Sequence, residues 1–143
     1  MEYPKASAVY SLCIGMLMTG MWTFFLVTGQ VPELEGRPVE ILLHLVVEFT
    51  TAVLLIISGI TTLIRRKRGG ALMLFSFGML TYTLIQSPGY YAQRGEIAFV
   101  VMFAVLFLAT AFFTLRTIKK ILFREKAGLP RGRSPGIISG RKL

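Results

Sequence analysis

The sequence predicts an all-α integral membrane protein: a four-helix bundle of up-down topology with both termini on the inner side. Three observations predict it. Four apolar segments are each long enough to cross a bilayer, their interiors are almost free of charge, and basic residues gather at alternate ends. Of 143 residues, 54% are hydrophobic and 16% charged, whereas soluble domains carry about a quarter charged residues. Asp and Asn are absent, so the usual caps and turns of soluble proteins are scarce.

A helix rises about 1.5 Å per residue, and about 20 residues span the ~30 Å hydrocarbon core. The spans fall at about 6–28, 40–64, 70–86 and 97–118. The first exceeds the apolar core of a signal peptide and no A-x-A-like site follows it, so a retained helix is expected. Between spans one and two, residues 29–38 read as a turn-rich loop, with Pro38 suited to the first turn of the second helix. The third span is the shortest. Ser87-Pro88-Gly89 is expected to end it, because proline cannot continue a helix. Residues 1–126 then form a four-helix transmembrane domain, and 127–143 a basic, flexible cytoplasmic tail punctuated by Gly and Pro.

The net charge of +9 does not point to nucleic acid, because the cations flank apolar spans. Arg65, Arg66, Lys67 and Arg68 lie between spans two and three, and Arg116, Lys119, Lys120, Arg124 and Lys126 close span four. The other two loops hold only Arg37 and Arg94, with Glu33, Glu35 and Glu40 after span one. Lysine and arginine mark the cytoplasmic side, which gives N-in, C-in, in the plasma membrane. Arg65, Arg66, Lys67, Arg68, Lys119 and Lys120 are expected to meet anionic lipid headgroups. A homo-oligomer or a larger membrane complex is compatible with so small a chain.

In lipid, helices associate by close packing and interhelical hydrogen bonds, so small and hydroxyl residues should mark the seams. On span one Ser7, Ser11, Gly15, Thr19 and Thr23 form one stripe. On span two His44, Glu48, Thr51, Leu55, Ser58 and Thr62 alternate steps of four and three, the seam of a left-handed bundle. The two stripes are expected inside, facing each other. Span three offers Ala71, Gly78 and Tyr82, and span four Ala104, Ala111 and Thr114.

One polar site stands out. His44 and Glu48 share a face of span two, four residues apart. A charged residue at the bilayer centre costs about 2.5–3.5 kcal/mol on insertion scales, so Glu48 should face the bundle and find a partner. The start of the helix disfavours positive charge, which argues for a neutral His44 donating to Glu48 or to a ligand. Trp22, Tyr82 and Gln86 reach the same outer half, with Tyr90, Tyr91 and Arg94 as a lid. Two accounts fit: a structural network that fixes helix register, or a site for a small ligand, proton or metal.

Specific chemistries have little support. A metal site needs three or four ligands; His44 and Glu48 supply two, and the lone Cys13 lies toward the opposite end of its span. Hence no metal and no cofactor is assigned. Hydrolase triad, P-loop and zincin signatures are missing. The length and four-span layout resemble the DoxX-like group of small membrane proteins, an architectural likeness that transfers no residue and no activity. Three classes stay open, in this order: a non-enzymatic membrane component or accessory subunit, a proton, ion or small-solute transporter using Glu48, and a small membrane enzyme or redox-cofactor-binding protein using His44 with Glu48.

Overall fold

The computed structural model describes residues 5–31, 33–64 and 69–128. Arg65, Arg66, Lys67 and Arg68 and the tail from residue 129 onward lie outside the described residues. Among the described residues five helices follow one another: α1 (Lys5–Val27), α2 (Glu33–Gly36), α3 (Pro38–Leu63), α4 (Gly69–Gln93) and α5 (Ile97–Gly128). The chain is all-α, and α1, α3, α4 and the Ile97–Phe123 part of α5 are long and apolar enough to cross a membrane. The loop after α1 contains one turn of helix, α2, where the sequence suggested turns alone. Pro38 occupies the start of α3, where its missing N–H costs little.

The third long helix corrects an expectation. Pro88 lies inside α4, which continues to Gln93. The pyrrolidine ring removes the donor that would bond the Leu84 carbonyl, but apolar helices tolerate such a gap when local adjustment satisfies the freed group. What ends α4 is Gly95, at φ +73. Glu96 N donates to Tyr91 O at 3.0 Å and Gly95 N to Ala92 O at 3.1 Å, the paired bonds of a Schellman cap. The end of α1 repeats this at Gly29, φ +67, with Gln30 N donating to Phe25 O at 2.9 Å and Gly29 N to Leu26 O at 3.4 Å.

Helix α1 packs on α3, α3 on α4 and α4 on α5, and α1 also touches α5. The α1–α3 and α1–α5 contacts run antiparallel. Ser11 Oγ donates to Leu55 O at 2.8 Å and lies 3.0 Å from Ser58 Oγ, while Trp22, farther along α1, meets Glu48, nearer the start of α3. Ser76 of α4 sits 3.1 Å from Leu54 O. Tyr10 of α1 closes onto α5 through Thr110 Oγ1 at 2.7 Å, and Thr117 Oγ1 lies 3.2 Å from Ser7 Oγ.

The interior mixes hydroxyls with apolar side chains, and the outer surface, unlike that of a water-soluble bundle, is apolar. Ser7, Ser11, Thr51, Ser58, Ser76 and Thr110 are fully buried, whereas Val27, Phe123, Leu108, Leu43, Ile85 and Val46 are each more than half exposed. Apolar side chains also fill the centre, around Leu55, Met73, Phe77 and Leu80.

Two expected seams are displaced. Ala71, Gly78 and Tyr82 face outward; α4 instead buries Met73, Ser76, Phe77, Leu80, Thr83 and Leu84. On α5 the buried positions are Phe103, Thr110 and Thr117, spaced by seven, with Ala104 exposed and Ala111 half-buried. Large side chains and hydroxyls, not alanine, fill the space on these two helices. Thr23 also leaves the interior: it is exposed, and its hydroxyl donates to Thr19 O at 2.7 Å.

Candidate functional site

Pro38 starts α3, and the 3.6-residue repeat then carries His44 and Glu48 round to the side that meets α1. The reason the two helices approach closely there is glycine. A Cβ on Gly15 would stand 2.8 Å from Ala52 O, and one on Gly59 would stand 2.9 Å from Ala8 O. Backbones in such contact bring a long side chain on one helix within reach of the next.

Glu48 is 4% exposed. Its Oε2 accepts the indole N–H of Trp22 at 3.2 Å. Its Oε1 is sealed from solvent and has no hydrogen-bond partner. His44 Nε2 stands 3.8 Å from Oε1, beyond hydrogen-bond length. The imidazole packs edge-to-face against Trp22, centroids 5.6 Å apart, and Trp22 does the same against Phe25 at 6.1 Å. The His44 side chain is 28% exposed against 6% for that of Glu48, so the site is more open at His44 and closed at Glu48. It holds one acceptor oxygen without a donor, the arrangement that receives a proton or one small donor.

The structure therefore brings together Trp22, His44 and Glu48, and separates the rest of the predicted cluster. Tyr82 is 58% exposed and lines a shallow groove with Val47, Phe75, Gly78 and Met79. Gln86 is exposed. The described contacts of the expected lid residues lie along α4 and α5. Tyr91 stacks on Phe99 at 4.6 Å and leans on Phe103 at 5.6 Å. Arg94 hydrogen-bonds Tyr90 Oη and lies 4.9 Å over its ring. One turn of helix separates Tyr90 from Arg94, and the continuation of α4 through Pro88 directs these residues along α4 and α5.

Of the residues expected at packing seams, Ser11, Gly15, Thr51 and Ser58 are buried and Thr19 is half-buried with its hydroxyl on Gly15 O at 2.9 Å. Gly78 is exposed, and a Cβ there would meet nothing within 4 Å. Lys119 and Lys120 are exposed near the end of α5. Among the described residues no three His, Cys, Asp or Glu side chains gather to hold a metal ion.

Sequence reasoning missed the second polar contact, Tyr10 with Thr110. Tyr10 also stacks on Phe113 at 4.5 Å and meets Phe77 edge-on at 6.0 Å. A tyrosine in the first half of a span, and threonines at 110 and 117 seven residues apart, were the available signals.

A family model described as Domain of unknown function (DUF8058) matches residues 1–127. No curated protein and no solved structure matches the chain.

Proposed function

The chain belongs to the family described as Domain of unknown function (DUF8058), and we propose that it is a non-enzymatic integral membrane component, an up-down bundle with both termini in the cytoplasm. The observation that supports this reading is an apolar outer surface around buried hydroxyls. Fully buried Ser and Thr hydroxyls lie inside an outer surface of Leu, Ile, Val and Phe. In water a continuous apolar surface of that extent is an aggregation liability. In lipid it is the matching solvent, and the hydroxyls supply the interhelical bonds that replace hydrophobic association.

Orientation follows from charge. Arg65, Arg66, Lys67, Arg68, Lys119 and Lys120 face the anionic cytoplasmic leaflet of the plasma membrane, and Glu35 and Glu40 lie outside. The Trp22–His44–Glu48 site then sits in the outer half of the bundle.

Labelling tests both statements. Cys13 is the only cysteine, so Cys13→Ser gives a clean background. A cysteine placed at Gln30 should react with an impermeant maleimide on intact cells, and one placed at Lys120 should react only after lysis. The reverse pattern overturns the orientation. Release of the full chain by alkaline carbonate overturns membrane insertion.

A further inference from the structure

The Glu48 carboxyl has one satisfied oxygen and one unsatisfied oxygen, and the geometry limits what the second can bind. Oε1 is sealed from solvent. Its separation from His44 Nε2, 3.8 Å, exceeds a hydrogen bond by nearly 1 Å. A bridging water would be cramped, since two bonds of about 2.8 Å across that separation would meet at less than a right angle. A metal ion lacks its third ligand, because no further carboxylate, thiolate or imidazole gathers here among the described residues. The species that Oε1 accepts without rearrangement of the bundle is a proton.

We propose that Glu48 and His44 form a proton-binding pair in which His44 is the entry from the outer face and Glu48 the buried holder. The more exposed imidazole accepts a proton from water and becomes imidazolium. A side-chain shift of about 1 Å brings Nε2 within hydrogen-bond distance of Oε1. The Nε2 proton passes to Oε1, leaving neutral imidazole and neutral acid. Trp22 N–H holds Oε2 throughout and so fixes which oxygen is protonated.

Few other titratable groups bear on this pair. On α1, Tyr10 lies twelve residues from Trp22 and bonds Thr110, and Cys13 is exposed. On α2, Glu35 is exposed, and on α3 itself Glu40 is exposed at the end of the helix. On α4, Tyr82 is exposed and Tyr91 packs on Phe99. His44 is the titratable group beside Glu48, its Nε2 3.8 Å from Oε1.

The inference rests on the membrane reading, and the test separates the two. Dicyclohexylcarbodiimide, which partitions into lipid, adds the O–H of a protonated carboxyl across its N=C bond, and migration of the acyl group from oxygen to nitrogen then leaves a stable N-acylurea of the same mass. The purified full chain in phosphatidylcholine vesicles is treated with it over a range of pH, in parallel with a water-soluble carbodiimide. Expected is an adduct on Glu48 with the lipid-soluble reagent alone, declining as pH rises, and none on that peptide in Glu48→Gln. In His44→Gln, hydrogen–deuterium exchange of the Glu48 acid, followed by its infrared C=O stretch, should slow by about tenfold or more. An unlabelled Glu48 at every pH overturns the proton holder. Unchanged exchange in His44→Gln overturns His44 as the entry. Equal labelling by the water-soluble reagent overturns the membrane reading, and this inference with it. The labelling arm uses the unaltered chain, so it decides even if a variant fails to fold.

Discussion

Gly15 and Ala52 meet with no space between them: a Cβ on Gly15 would lie 2.8 Å from the Ala52 carbonyl oxygen and equally near Ile56 Cγ1. Gly59 repeats the relation in the other direction, with a Cβ falling 2.6 Å from Leu12 Cγ and 2.9 Å from Ala8 O. Since real Cβ atoms do not approach backbone oxygen so closely, α1 and α3 must separate to admit one. Gly15→Ala and Gly59→Ala should each destabilise the protein by about 1–3 kcal/mol, the usual range for overpacking. Gly78→Ala, where a Cβ meets nothing, should be neutral or slightly stabilising through helix propensity. Reversible unfolding in mixed micelles gives all three values. A Gly78 variant as damaged as Gly15→Ala would mean that the outward face of α4 is covered in the functional state.

That contrast explains what the sequence could and could not disclose. On α3 the polar residues Glu48, Thr51, Ser58 and Thr62 repeat at bundle spacing, and all are buried. Their polarity marks the face. On α4 the stripe Ala71, Gly78, Tyr82 is as regular as the buried set, and small size alone cannot choose between the two sides of an apolar helix. Ser76, with its hydroxyl 3.1 Å from Leu54 O, was the better marker, as Thr110 and Thr117 were on α5. The candidate site divides on the same ground. Four residues on one helix tie His44 to Glu48 without further information, while Tyr82 and Tyr91 depended on the rotation of α4 and on where it ends.

The Trp22–Glu48 bond makes the second prediction. Trp22→Phe keeps an aromatic ring and removes the donor to Oε2, leaving a buried carboxyl with neither oxygen bonded. The loss should be about 1–2 kcal/mol, since interhelical hydrogen bonds in membranes average less than buried bonds in water. Replacing both partners, as Trp22→Phe with Glu48→Leu, should recover part of that loss, because no polar group is then left unsatisfied. Comparison of the two unfolding free energies checks it. A double variant weaker than Trp22→Phe alone would show that Glu48 stabilises through contacts other than Trp22.

The polar contact between α1 and α5 yields a third. Tyr10 Oη lies 2.7 Å from Thr110 Oγ1, while Thr110 also bonds Leu106 O at 2.8 Å. Tyr10→Phe leaves the stack on Phe113 intact and removes only the hydroxyl. Its cost should be about 0.5–1 kcal/mol. Thr110→Val should cost no more, because its helix carbonyl retains its backbone partner. Tyr10→Ala, which empties the space between Phe77 and Phe113, should cost about 3 kcal/mol or more. A Tyr10→Ala variant no weaker than Tyr10→Phe would mean that α5 does not dock on α1 through this ring.

The end of α4 offers the sharpest test of a backbone argument, because two residues type-cast as helix breakers behave differently there. Pro88 lies within the helix and withholds one donor from Leu84 O, so Pro88→Ala restores a backbone bond and should raise stability by up to about 1 kcal/mol. The gain should fall short of the roughly 3 kcal/mol penalty of a soluble helix, because apolar helices already accommodate the gap. Gly95 has φ +73, a conformation that costs an L side chain about 1–2 kcal/mol. Gly95→Ala should therefore lose about 1 kcal/mol although a Cβ there meets no neighbour. Gly95→Asn should lose less, since asparagine tolerates that region. Backbone amide exchange would localise the effects: Glu96 N–H, bonded to Tyr91 O, should exchange faster in Gly95→Ala and be unchanged in Pro88→Ala. If Pro88→Ala instead shortened α4 or weakened the protein, the ring's place beside Ile85, Ala104 and Phe107 would be the stronger constraint, and the helix would owe its continuity to that packing.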